Sequence, residues 1–323
     1  MTGVGAGPDR PVRTVFFGSG PFGLPILDAL AAAPEVELVA VVAAPDRTAG
    51  RRRELTSVPV AARAKELGIP LLQPASIRTP AAAAELSDLR PALGVLADYG
   101  RLVPPTVLSL PRHGILNVHP SLLPRHRGAS PIAGTILAGD AQAGVTIIAM
   151  DAGLDTGPVV ATEAWPLEGA ETAPELEVLA AHAGAALMRR TLGPWLAGEI
   201  EAAPQDEAAA TMTRPLRRED GRLDPERPVV ELERQVRALQ PWPGSWVEAV
   251  GGRLAVWRAE AIPGWGGGED ASPGRFGRFG LYARDGYLAL REVQPAGGRR
   301  MTFDELVRGR PGIIGSSVER AGG

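Results

Sequence analysis

Val12-Arg-Thr-Val-Phe-Phe-Gly18-Ser-Gly20-Pro21-Phe-Gly23-Leu-Pro-Ile26-Leu27-Asp-Ala-Leu30, followed shortly by the mainly apolar stretch 36–43, is the stretch on which the fold turns. The mainly apolar stretch 12–18, interrupted only by Arg13 and Thr14, reads as a buried-type strand. A glycine-rich turn follows, and apolar residues then recur at helical spacing over 21–33. This strand, helix and second strand form a β-α-β start. The alternation continues with a helix at 58–67, strands at 92–97 and 114–118, a helix at 129–138, strands at 145–150 and 159–165, and a helix at 174–197 whose Pro174 sits in the first turn. Such alternation predicts an α/β fold, a mainly parallel sheet with helices on its faces.

Beyond it the pattern changes. Residues 198–215 are polar and irregular and read as a linker. A helix at 229–239 is followed by short glycine-punctuated strands at 246–250, 253–259, 280–283 and 287–293, a pattern that suits a small β-barrel. The Gly/Pro-rich stretch 263–274 reads as a mobile loop within it. A chain of 323 residues suits two domains, and 45% hydrophobic residues suffice for their cores. No run approaches the ~20 apolar residues of a membrane helix, and the N-terminus lacks the pattern of a secretory signal. The absence of cysteine excludes disulfides, thiolate zinc sites and a cysteine nucleophile, and fits a cytoplasmic protein. Net charge is −3, which does not point to nucleic acid, and Lys65 is the only lysine among many arginines.

Four motifs carry chemistry. Gly18-Ser-Gly20-Pro-Phe-Gly23 matches the dinucleotide pattern, which also wants an acidic residue at the end of the second strand. Glu37 lies too early for that and Asp46 lies beyond, so a tight strand-to-helix turn opened by Pro21 is the favoured reading. Pro45-Asp-Arg47-Thr-Ala-Gly50-Arg51-Arg52-Arg53 is an arginine-rich loop able to contact phosphates. By itself it reads as a solvated surface. Asn117 and His119 are two apart, so on a strand they share one face, and the stiff loop Pro120-Ser121-Leu122-Leu123-Pro124 follows. Asp155, between Gly153 and Gly157, sits in a turn. An amide can hold an oxyanion, a neutral imidazole can take a proton and a carboxylate can orient that imidazole. Together they suit transfer of an acyl-type carbon to an amine without a metal or a covalent intermediate. The chain offers no evident metal-ligand cluster.

Asn117-x-His119, the Ser121-Leu-Leu-Pro124 loop and Gly153-Leu-Asp155-Thr-Gly157 resemble the signature of the formyltransferases that use 10-formyltetrahydrofolate. Further segments extend the likeness to the branch of that family that formylates initiator Met-tRNA: Ala97-Asp98-Tyr99-Gly100, Thr213-Arg214-Pro215, Gln240-Pro-Trp242-Pro-Gly-Ser-Trp246 and Gln294-Pro-Ala-Gly297. The resemblance implies a Rossmann-like formyltransferase domain over 12–198, a linker over 199–215 and an OB-like tRNA-binding domain over 216–316, after a disordered tail at 1–11. It implies catalysis by Asn117, His119 and Asp155, folate binding by Ser121, Leu122, Leu123 and Pro124, and tRNA contact by Arg47, Arg51, Arg52 and Arg53. It further implies a cytoplasmic monomer that needs no metal. Asp98, Pro120, His126 and Ser130 depart from the family's usual residues and touch the pocket lining.

Three other readings compete. A nicotinamide oxidoreductase built on Gly18–Gly23 leaves Asn117-x-His119 unexplained. A non-catalytic RNA-binding protein needs no amide, imidazole and carboxylate together. A sugar-amine formyltransferase shares the folate signature but not the C-terminal segments.

Overall fold

In the computed structural model, which describes residues 10–49, 54–265 and 271–319, the opening stretch forms the strand Val12–Phe17. It lies inside a seven-stranded sheet ordered Val159–Pro166, Gln142–Ala149, Ile115–His119, Leu93–Leu96, Val12–Phe17, Val36–Val42, Leu71–Leu72. The last five of these strands run parallel to one another. Gln142–Ala149 runs antiparallel to both of its neighbours. Alternate residues supply two cores, as apolar runs buried on both faces require. Phe16, Val41 and Val95 join Ile26, Leu27 and Leu30 of the helix Gly23–Ala31 on one face, while Val15, Phe17, Val42 and Leu96 pack with Ile77 and Tyr99 on the other.

The chain leaves Val12–Phe17 for Val36–Val42 on one side and later returns with Leu93–Leu96 on the other. The strand order therefore reverses beside the Gly18–Gly23 turn, and in open α/β sheets ligands favour such a place. The glycines there have a packing reason. A Cβ on Gly18 or Gly23 would lie 2.8 or 2.9 Å from the carbonyl oxygen of Ala97.

Two compact units result. The first gathers the chain up to Pro131, Gln142–Pro166 and Glu177–Arg214. The second gathers Ile132–Ala141, Leu167–Leu176 and the chain from Pro215 onward, so two segments read from sequence as part of the first domain group with the second. Its sheet is antiparallel and OB-like, ordered Ser245–Ala249, Gly252–Pro263, Gly286–Pro295, Gly280–Ala283, Phe276–Gly277, with Met301–Thr302 also on Gly286–Pro295. Among the described residues its two end strands do not pair, so no closed barrel forms. The helix Val229–Ala238 lays Val229, Leu232 and Val236 into one core with Val247, Leu254 and Leu288. No helix among the described residues is long and apolar enough to cross a membrane. The expected tail and mobile loop lie partly outside the described residues, at 1–9 and 266–270.

Candidate active site

Asn117 and His119 occupy the strand Ile115–His119, paired with Ile148 and Thr146 of the neighbouring antiparallel strand. Both side chains are buried. The turn after that neighbour brings Asp155 to them. Asn117 Nδ2 donates to Asp155 Oδ1 at 3.1 Å, and Asp155 Oδ2 lies 3.7 Å from His119 Nδ1. The same Oδ2 accepts the backbone N–H of Gly128 at 2.8 Å. Asp155 has φ +56°, a left-handed conformation that aspartate tolerates better than most residues. The structure thus brings the three predicted groups together.

His119 is held by one ring nitrogen and faces a carboxylate with the other. Its Nε2 lies 3.0 Å from the carbonyl oxygen of His126. A carbonyl only accepts, so the neutral ring carries its proton on Nε2 and its lone pair on Nδ1. Burial pushes the imidazole below its ordinary value, opposed by the Asp155 carboxylate. The ring is therefore neutral at pH 7 and able to accept a proton, and Asp155 stands ready to stabilise the resulting cation.

The loop 121–124 is fastened from below. Ser121 Oγ donates to the carbonyl of Arg125 at 2.7 Å. Thr146 Oγ1 donates to the Ser121 carbonyl at 2.8 Å and accepts the Leu123 N–H at 3.2 Å. Leu122 covers Gly144, where a Cβ would lie 2.2 Å from its Cδ2. The loop's far end is fastened by a segment that the sequence showed only as a linker. Met212–Thr213 pairs in parallel with Arg127–Gly128, and Thr211 Oγ1 accepts the His126 N–H at 2.8 Å. Gly128, at φ +103°, is needed here, because a Cβ would lie 2.2 Å from the Thr213 carbonyl oxygen. Gln205 Nε2 donates to the carbonyls of Asp155 and Gly157 at 2.8 and 2.7 Å. Arg127, buried, donates to Gln205 Oε1 and grips Glu207 through both terminal nitrogens at 2.9 and 2.7 Å. Sequence reasoning missed these residues. No local signal marked Arg127, Gln205 or Glu207, whose partners lie far apart in sequence.

Arg47 begins a strand, Arg47–Ala49, that pairs antiparallel with Glu54–Thr56, so the arginine loop is a hairpin at its base. Arg51, Arg52 and Arg53 lie outside the described residues. Asp98 has φ +52° and its carboxylate lies against Gly20. It keeps a solvent-facing side yet is crowded by protein. That crowding, with Glu177 adding repulsion, lifts its carboxyl to about 6.

Comparison with known proteins agrees with this architecture. Residues 12–192 match the family described as formyl transferase, and residues 215–311 match its C-terminal domain. Relatives named methionyl-tRNA formyltransferase include one from Roseiflexus sp. (strain RS-1), 42% identical over 93% of this chain and 93% of its own. Another, from Paramagnetospirillum magneticum, is 44% identical over 92% of this chain and 97% of its own. The fold is shared by the N-formyltransferase from Helicobacter canadensis solved with folinic acid and dTDP-3-aminofucose, at TM-score 0.63 and 15% identity over 86% of this chain and 99% of that one. The chain belongs to the formyl transferase family, in the branch of the methionyl-tRNA formyltransferases.

Proposed function

We propose that this enzyme transfers the formyl group of 10-formyltetrahydrofolate to the α-amine of initiator Met-tRNA, using Asn117, His119 and Asp155. The observation that carries the reading is the one carboxylate that touches Asn117 and faces His119. The names of the full-length relatives supply the acceptor. The methionyl amine titrates near neutrality, at about 7.7–8.0 for an ordinary α-amine, so much of it is already nucleophilic. Its nitrogen bonds to the formyl carbon, and the carbonyl oxygen becomes an oxyanion. Asn117 gives one N–H to Asp155, leaving the other for that oxyanion. His119 takes the ammonium proton at Nδ1 and returns it to the folate N10 as the carbon–N10 bond breaks. Asp155 holds Asn117 in place and stabilises the imidazolium in between. Ser121–Pro124 hold the folate, and the arginine hairpin meets the acceptor end of the tRNA.

Purified protein given 10-formyltetrahydrofolate and initiator Met-tRNA should yield formyl-Met-tRNA, and a nucleotide-sugar amine should stay unformylated. Formylation of the sugar amine alone would place the enzyme in a different branch.

A further inference from the structure

Between the two family matches, at 193–214, lies a stretch that neither covers. Its hydrogen bonds nevertheless end on the site. Ala203 exchanges both backbone hydrogen bonds with Val159, at 2.7 and 2.8 Å, which anchors the stretch to the sheet's edge strand. Two residues on, Gln205 spends both N–H groups of its amide on the carbonyls of Asp155 and Gly157. The opposite end of that amide, Oε1, accepts from Arg127 Nε at 3.0 Å. Arg127 precedes Gly128, whose N–H holds the Asp155 carboxylate. The backbone and the side chain of Asp155 are thus gripped from two adjoining points, and Gln205 couples them.

The turn needs such a grip. Asp155 sits at positive φ with glycines two residues away on either side, so the local backbone alone does not select this conformation. From this ring of bonds we infer that Gln205 is a positioning residue for the reaction: it holds the Asp155–Gly157 turn so that one carboxylate serves Asn117 and His119 together. The inference rests on the catalytic reading above. It also makes residues 203–213 a strap on the catalytic unit.

The variant Gln205→Glu tests it closely. Glutamate keeps the acceptor for Arg127 and loses both donors to the turn. The expected result is a kcat lowered about ten- to a hundredfold, the cost of misplacing a catalytic group by an ångström or less, with KM for both substrates within about twofold. In an Asp155→Asn background, Gln205→Glu should cause no further loss, because it acts through that carboxylate. Losses that multiply, or an unchanged kcat, would overturn the proposal. A second readout needs no substrate. NMR titration of the His119 ring should move to lower pH in Gln205→Met, which adds no charge of its own, since the carboxylate that supports the imidazolium has shifted. An unmoved titration in a folded variant sinks the inference. Should Gln205→Glu fail to fold, Gln205→Met, of similar length and with neither donor nor acceptor, carries the same expectations. Failure of wild-type protein to formylate Met-tRNA would refute the function, and the ring titration would still decide the role of Gln205.

Discussion

The Nε2 of His119 and the backbone oxygen of His126 are 3.0 Å apart, and this hydrogen bond decides which imidazole nitrogen is free. The free one, Nδ1, is the one that faces Asp155. Ring orientation is set by a backbone carbonyl in the loop after the strand, and that loop is fastened in turn by Thr211.

Removing the proton carrier with His119→Ala should lower kcat by about 10²–10⁴, and removing the oxyanion donor with Asn117→Ala by about 10²–10³. Both groups act chiefly in the transition state, so KM should change little. The double variant should lose less than the product of the two. Steady-state formylation kinetics check this, and a His119→Ala enzyme retaining more than about a third of wild-type kcat would contradict the assignment.

The pH profile follows from the burial of His119. Burial holds the imidazole below its ordinary 6.5, so the acid limb of kcat/KM should fall below that pH. Asp155 opposes burial, so Asp155→Asn should move the limb to still lower pH while lowering the plateau. The stability linkage has the same sign. A histidine depressed on folding favours the native state fully above its unfolded value, and that contribution disappears as pH falls through the folded one. A limb that moves upward in Asp155→Asn would show that the carboxylate does not support the imidazolium.

Asp98 gives the opposite linkage. Its carboxyl is raised from 3.8 to about 6, first by crowding and second by Glu177. A raised carboxyl favours the native state below the unfolded value, and this is lost as pH rises through about 6. Asp98→Asn should therefore raise the melting temperature at pH 8 relative to wild type and change it less at pH 4. Glu177→Gln should lower the Asp98 titration point, measured by NMR. An equal Tm difference at both pH values would rule out the linkage.

The arginine hairpin should act on tRNA alone. Replacing Arg51, Arg52 and Arg53 by Ala should weaken tRNA binding and reduce the log–log salt slope by roughly 0.7–0.9 for each phosphate that an arginine no longer neutralises. Folate affinity should hold. A salt titration of tRNA binding checks this, and identical slopes for variant and wild type would reduce the hairpin to a solvated surface.

The strand that carries Asn117 and His119 and the Asp155 turn were legible because their signals are local. A two-residue spacing puts Asn117 and His119 on one face, and flanking glycines announce a turn. Two helices with readable caps went unread: Thr79 before Pro80–Asp88, and the Thr302–Glu305 capping box of Phe303–Gly309. The antiparallel course of Gln142–Ala149 was not legible, since an apolar strand carries no mark of direction. The strap was illegible for a deeper reason. Residues 199–214 have neither apolar period, and their order comes from hydrogen bonds to residues more than forty positions away in sequence, such as Arg127 with Gln205 and Glu207.

Thr213, near the end of the strap, still bonds to Arg127 and Ser130, and in this stretch the boundary between the two compact units falls between Arg214 and Pro215. A chimera that takes its C-terminal half from a relative inherits its own catalytic support when spliced there. Spliced at residue 198, it grafts foreign side chains beneath Asp155, and a module exchange meant to alter which RNA is recognised would disturb the chemistry instead. Substitutions that retune the C-terminal part of this enzyme must also suit Ile132–Ala141 and Leu167–Leu176, which group with it although they precede that boundary.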